Sequence, residues 1–428
     1  MEQRNSSLEI TIQGPSLKYM SLENGARCVL APIEEATLTC LDFWCKAGSA
    51  NEEFMEEGLA HFLEHMVFKG SKSLKAGEFD RKIESLGGST NAATGFDDVH
   101  FYVLVPPQEV GSALDLLMDL VLNPSIDDKH YGMEREVVLE EIAQYKDQPE
   151  EQAIQKLFEN VWPKHAYGRP ILGFEKTLRQ STPIAMKRFH RRLYHIDNFF
   201  LAIAGRIPDN ITELLEDSPL SKITNKQSYK SCRKEIKKPR FRVGHKELIL
   251  PRLESARLLM AWEMPCANNQ RMVMGADLGT TILAEGRRSR LVQLLREDLK
   301  IVESVDMDIT TLEESGLIVL EACCQEDNLS EVEYKINKEL KNSLYSRITK
   351  EELKRAKELV KNSLCFGIET PSQVAYLSSS NALWGREQEL LAPLNHLNYW
   401  EELNLKEEFF KLIQPNLSFT ILAKSGKG

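Results

Sequence analysis

The chain has 428 residues, of which 42% are hydrophobic and 28% charged, a soluble globular composition long enough for two or more cores. A formal net charge of −10 argues against a general polyanion binder, because neutralising phosphates needs a surplus of Lys and Arg at the contact face; no nucleic acid partner is expected. No apolar run reaches the eighteen residues of a membrane span, and "MEQRNSSLEITIQG" lacks the parts of a signal peptide, so the expectation is a cytoplasmic protein with no membrane contact.

The eight cysteines (Cys28, Cys40, Cys45, Cys232, Cys266, Cys323, Cys324, Cys365) are scattered, without a CxxC pair or finger spacing, and read as reduced thiols, mostly buried. Along the chain, "KYMSLENGARCVLAPI" reads as a hairpin about Asn24-Gly25. It is followed by the strand "TLTCLDFWCKAGS", a helix across "EGLAHFLEHMVFKG" and a second helix ending at "SLGGS". Next come the strand "DVHFYVLVP", stopped by Pro106-Pro107, and a helix from Gly111 to Leu122, stopped by Asn123-Pro124. The alternation carries no parallel-sheet signature.

After residue 247 a similar order returns in "RLLMAWEMP", "ADLGTTILAEG", "SRLVQLLRED", "ESVDMDI" and "GLIVLEACC". The expected fold is α+β: two homologous domains, each a mainly antiparallel sheet covered by helices, related as an internal repeat. The boundaries read as 1–215 for a first domain, 216–246 for a polar, basic interdomain linker and 247–428 for a second domain. In "LCFGIETPSQVAYL" a helix broken near Gly367 and Pro371 suits packing or an interdomain contact.

The chemistry concentrates in the first of these helices. Leu59, Phe62, Leu63 and Met66 fall at i, i+3, i+4 and i+7 and complete a core stripe by themselves. His61, Glu64 and His65 share the adjacent stripe, so this polar trio is surplus to packing. Two imidazoles one turn apart can reach one Zn²⁺, and the Glu beside them is placed to take a proton from water instead of ligating. The order HxxEH is the reverse of HExxH and is the inverzincin signature. A catalytic site of this kind needs a third protein ligand elsewhere.

The candidate lies in "HYGMEREVVLEEIAQYKDQPE", a helix from Asp128 to Tyr145 with an expected apolar side of Val137, Val138, Ile142 and Tyr145. Glu141 falls at that inward side, where a carboxylate needs a charge partner and zinc is one candidate. Glu140 groups with Glu136 and Gln144 on the wet side. Glu134 lies two turns before Glu141, roughly 10 Å away, too far to share one metal easily, and is given the role of orienting a ligand or the substrate. His190 and His195 are five apart and so not on one helical face, His100 lies in a strand, and His130, His165, His245 and His396 show no companion carboxylate pattern; all read as satisfied or solvated histidines.

HFLEH followed by "EREVVLEEI" resembles the pitrilysin/insulinase family of zinc metallopeptidases, as do "LGGSTNAATGFDDVHFYVLVP", "RPILGFEKTLRQST", "HIDNFFLAIAGRI" and "SRLVQLLRED" in the same order. The resemblance implies His61, His65 and Glu141 as zinc ligands, Glu64 as general base and Glu134 as auxiliary carboxylate. It implies a peptide substrate that adds as a strand beside "STNAATG", at Asn91 and Ala92, and two similar domains closing in pairs around a chamber.

Many members of the family also present a second-half Arg and, seven residues later, a Tyr. Here Arg296 occupies the first position and Glu303 the second, where no neutral phenol donor is available. The preferred reading is the zinc-bearing subunit of a heterodimer whose homologous partner supplies the Arg/Tyr pair. A homodimer remains open, as does a noncatalytic structural or peptide-binding subunit.

Overall fold

The computed structural model describes residues 14–223 and 236–426; the basic run at 224–235, with Cys232, lies outside them. Two sheets organise the chain. The first takes β1 (Lys18–Ser21), β2 (Arg27–Pro32), β3 (Thr39–Cys45), β4 (Ser89–Thr94), β5 (Val99–Val105) and β6 (Phe199–Gly205) in the order β1-β2-β6-β3-β5-β4. The second takes β7 (Gly244–Ile249), β8 (Ala256–Met264), β9 (Ser304–Thr311), β10 (Gly316–Cys324) and β11 (Phe419–Lys424) in the order β7-β11-β8-β10-β9.

The two orders are the same path, with β1 added to the first, and the repeat expected from the sequence is present. Pairing is mainly antiparallel, but β2 runs parallel to β6 and β7 parallel to β11, so both sheets are mixed. Local patterning carries no sign of these pairs because each joins strands far apart in the chain.

The helices of the first half are α1 (Leu59–Val67), α2 (Glu78–Ser85), α3 (Val110–Leu122), α4 (Asp128–Lys146), α5 (Pro149–Val161), α6 (Glu175–Gln180), α7 (Pro183–Leu193) and α8 (Ile211–Asp217). The second half carries α9 (Gln270–Ala284), a π-helical turn over Val292–Asp298, α10 (Leu329–Asn342), α11 (Lys350–Phe366) and α12 (Pro371–Leu383). Helices α1, α3 and α7 supply much of the apolar layer on one face of the first sheet.

The opposite face is covered by α12, whose Val374, Ala375, Ala382 and Leu383 pack on Val29, Cys40, Phe200 and Ala202. Reciprocally, α5 of the first half lies on the second sheet, with Leu157 and Val161 in one cluster with Leu259 and Ile421. Each half thus closes the other's sheet, which is why every residue of β3 and β6 is buried. Gly367 ends α11 and a Thr370 capping box starts α12, as the broken-helix reading required.

Candidate metal centre

Helix α1 begins at Gly58, whose φ of 97° lies in the left-handed region. A Cβ there would stand 2.7 Å from the Leu172 carbonyl oxygen, so a side chain is excluded on both grounds. The buried Glu52 carboxylate caps the helix by accepting the backbone N–H of Gly58 at 3.0 Å and of Ala60 at 2.8 Å. From that start Leu59, Phe62, Leu63 and Met66 are each fully buried, worth about 2 kcal/mol apiece by area. The stripe anchors α1 and leaves His61, Glu64 and His65 half-buried on its flank.

Helix α4 crosses α1 with Tyr131 against Phe62, ring centroids 4.7 Å apart. Its buried face is Tyr131, Glu134, Val138, Leu139 and Ile142. Val137, expected on the apolar side, is 51% exposed: burial of Tyr131 and Glu134 turns the helix so that Val137 faces outward beside Met133. Glu141 is half-exposed and Glu140 exposed, the first at the helix crossing and the second in solvent.

His61, His65 and Glu141 converge, and they are the group of His, Cys, Asp and Glu side chains among the described residues whose ligand atoms could hold a metal ion, all within 4.8 Å of one another. Glu141 Oε1 is 3.8 Å from His61 Nε2 and Oε2 is 3.5 Å from His65 Nε2. Those separations are long for hydrogen bonds. They are close to the roughly 3.3–3.5 Å between two ligands on one tetrahedral zinc.

The protonation states fit as well. Burial, helped by the adjacent His65, pushes His61 down to about 4, so at neutral pH the imidazole is uncharged and keeps a lone pair. With Nε2 turned towards Glu141, its Nδ1 is buried without a hydrogen-bond partner, a cost of about 1–3 kcal/mol. A metal bond at Nε2 would not satisfy Nδ1, so the fit to zinc rests on the neutral imidazole and on the spacing of the three donors.

Glu134 supplies the outer support. Its Oε1 accepts from His65 Nδ1 at 3.0 Å and its Oε2 pairs with Lys69 Nζ at 2.9 Å. A carboxylate can only accept, so this bond puts the ring proton on Nδ1 and leaves Nε2 free. Glu64 accepts from the Thr94 hydroxyl at 2.5 Å. Burial pushes its carboxyl above the usual range, while Thr94 and His65 pull it back.

Asn91 and Ala92 lie in β4, the edge strand of the first sheet. The Ala92 N–H bonds the Asn91 side chain at 2.9 Å instead of β5. The second-half residues stand apart. Arg296 pairs with Glu297 at 2.8 Å, Glu303 accepts from Ser255 at 2.9 Å and Cys323 at 3.4 Å, and no hydrogen bond or ion pair among the described residues joins either to the histidines. Sequence reading missed Thr94 and Lys69; the available signals were Thr94 in "STNAATG" and Lys69 four residues after His65.

A duplicated α+β fold with an HxxEH helix and a third carboxylate from a second helix defines the inverzincin type of site. Residues 29–175 match the model of the insulinase family, peptidase family M16, and residues 182–360 match that of the peptidase M16 inactive domain. The chain belongs to this family.

It is 28% identical over 385 residues to YmxG of Bacillus subtilis, an uncharacterized zinc protease, covering 89% of this chain and 92% of that one. An uncharacterized zinc protease of Rickettsia bellii is 28% identical over 357 residues, covering 83% and 84%. Among solved structures, a protease from Helicobacter pylori superposes with a TM-score of 0.85 at 22% identity, covering 96% of this chain and 100% of that one. A peptidase M16 inactive domain from Pseudomonas fluorescens gives 0.84 at 17%, covering 95% and 98%. No helix among the described residues is long and apolar enough to cross a membrane.

Proposed function

We propose that the chain is a zinc-dependent endopeptidase acting on extended oligopeptides or unfolded segments, with His61, His65 and Glu141 as ligands. The convergence of these three donors beside Glu64 carries the reading. Bound there, zinc supplies Lewis acidity, acidifying water and polarising the scissile carbonyl. Glu64 takes the proton of the attacking water and hands it to the leaving amine as the C–N bond breaks. Thr94 and the apolar wall of α1 hold that carboxylate in place.

The edge of β4, which no other strand among the described residues covers, suits a substrate added as a strand, with backbone hydrogen bonds that ignore side-chain identity and with Asn91 releasing the Ala92 N–H. A cavity of about 800 Å³ lies alongside, lined by Phe96, Ile142, Tyr145, Phe158 and Phe174, and offers room for an apolar residue. Among the described residues neither Arg296 nor Glu303 bonds to the histidines, and Glu303 cannot serve as a phenol. We assign the chain as the zinc-bearing subunit of a dimer, preferably with a homologous partner that brings an Arg/Tyr pair. A cytoplasmic setting suits its seven described cysteines, none of which is in a disulfide.

The test is zinc content and cleavage of a quenched fluorescent peptide library by the full chain, with Glu64→Gln as control. The expected result is about one zinc per chain, with turnover falling by about 10²–10⁴ in the variant. Zinc without turnover in the wild type places the missing donors on a partner chain. Failure to bind zinc overturns the assignment in favour of a noncatalytic subunit.

A further inference from the structure

The support behind the two imidazoles is unequal. His61 Nδ1 has no hydrogen-bond partner, so the aim of the pair rests on the single bond from His65 Nδ1 to Glu134. That bond is only as firm as its acceptor. The Glu134 side chain is 10% exposed, and a carboxylate shut away from water holds a fixed position when its second oxygen is also satisfied.

Lys69 does this, from four residues beyond His65 and just past the last turn of α1, where a cation also meets the negative end of the helix. Asp80 of α2 lies in the field of the same ammonium, but the contact at 2.9 Å is with Glu134. The arrangement fastens the C-terminal end of α1 to the middle of α4, and these are the two helices that carry the ligands.

We propose that Lys69 is a positioning residue: by holding the second oxygen of Glu134 it fixes the Glu134–His65 bond, and through it both the aim of His65 Nε2 and the register of α1 against Glu141. This rests on the metal-site reading above. Neither Lys69 nor Glu134 is among the three converging donors, so the effect is read in metal affinity, independently of turnover.

The experiment is zinc titration of the full chain against a chromophoric chelator, for wild type, Lys69→Met, Lys69→Arg, Glu134→Gln and the Lys69→Met/Glu134→Gln double variant. Loss of an outer partner of a ligating histidine weakens metal binding by about 10–100-fold, and that is expected for Lys69→Met and for Glu134→Gln. The double variant should be no weaker than Glu134→Gln alone, because both changes break one chain of contacts. Lys69→Arg keeps the charge and should stay within about threefold of wild type.

Melting of the metal-free variants checks folding, and Lys69→Gln replaces Lys69→Met if the latter does not fold. Wild-type affinity in Lys69→Met, or additive losses in the double variant, overturns the proposal. Tight zinc with the expected pattern but no peptide cleavage leaves this proposal standing and overturns only the view that the chain cleaves peptides without a partner. A wild type that binds no zinc sinks both.

Discussion

The Thr94 hydroxyl donates to the Glu64 carboxylate at 2.5 Å, and so ties the candidate base on α1 to the last residue of the edge strand β4. In an antiparallel ladder the residues whose N–H and C=O face outward alternate. Since Ala92 turns its N–H away from β5, Thr94 turns its backbone outward too. One residue therefore touches both the base and the strand position offered to substrate.

Thr94→Val keeps the shape and removes the donor. It should cut kcat by about tenfold, the worth of one hydrogen bond to a charged group, with KM and zinc content little changed. Thr94→Ser should retain most of the activity. An unaltered kcat in Thr94→Val would show that packing alone orients Glu64.

Adjacent carboxylates on α4 give a second contrast. Glu141 faces the histidines at 3.5 and 3.8 Å, whereas Glu140 is exposed. Glu141→Gln should weaken zinc binding by more than about 100-fold, as expected when a charged ligand is lost. Glu140→Gln should leave it unchanged. Equal effects in chelator competition would mean that the helix phase seen here is not the working one.

How far this was legible in the sequence depends on the range of the interactions involved. The stripe Leu59, Phe62, Leu63 and Met66 and its polar flank were readable because helical periodicity is local. So were β1, β2, β3, β5, β8, β9 and β10 and the break before Pro371, whereas β4, β6, β7 and β11 were not read as strands. Val137 was misplaced because two side chains a turn or two earlier, Tyr131 and Glu134, fix the phase of α4 through contacts with Phe62 and His65 of α1 and with Lys69 just beyond it. The exchange of α5 and α12 between halves and the parallel pairs β2/β6 and β7/β11 join residues roughly a hundred or more positions apart, which no local pattern encodes. Lys69 sat beside the motif unnoticed for the same reason: its partner, Glu134, is 65 residues away.

Helix α9 occupies the place in the second half that α1 holds in the first, and its glycines predict a stability effect against propensity. A Cβ on Gly275 would stand 2.0 Å from the Trp400 ring and one on Gly279 2.1 Å from the Phe409 ring, both rings fully buried. Alanine in a helix interior normally gains about 1 kcal/mol over glycine. Here the overlap with aromatic rings that cannot retreat costs more, so Gly275→Ala should lower stability by about 2 kcal/mol, read as a lower urea midpoint. A stabilised variant would mean that Trp400 is free to move.

Acid should act on the fold through His190. This buried side chain of α7 donates from Nε2 to the Val121 carbonyl at 2.9 Å and stacks on Tyr194 with ring centroids 4.4 Å apart. Burial pushes it from 6.5 down to about 4, against the pull of the Val121 bond. A folded-state pKa below the unfolded one means that the native state prefers the neutral ring. Its contribution is therefore complete above pH 6.5 and is lost as pH falls towards 4, to a limit of about 3 kcal/mol. Buried carboxyls such as Asp98, raised to about 6, respond in the opposite sense, so the total pH profile mixes signs and only a difference isolates this histidine. His190→Gln retains an N–H donor but cannot take a proton. Measured by urea unfolding with a chelator present, the variant should fall short of wild type at pH 7.5, and the gap should narrow or reverse at pH 4.5. A gap of the same size at both pH values would mean that His190 becomes charged without leaving its place.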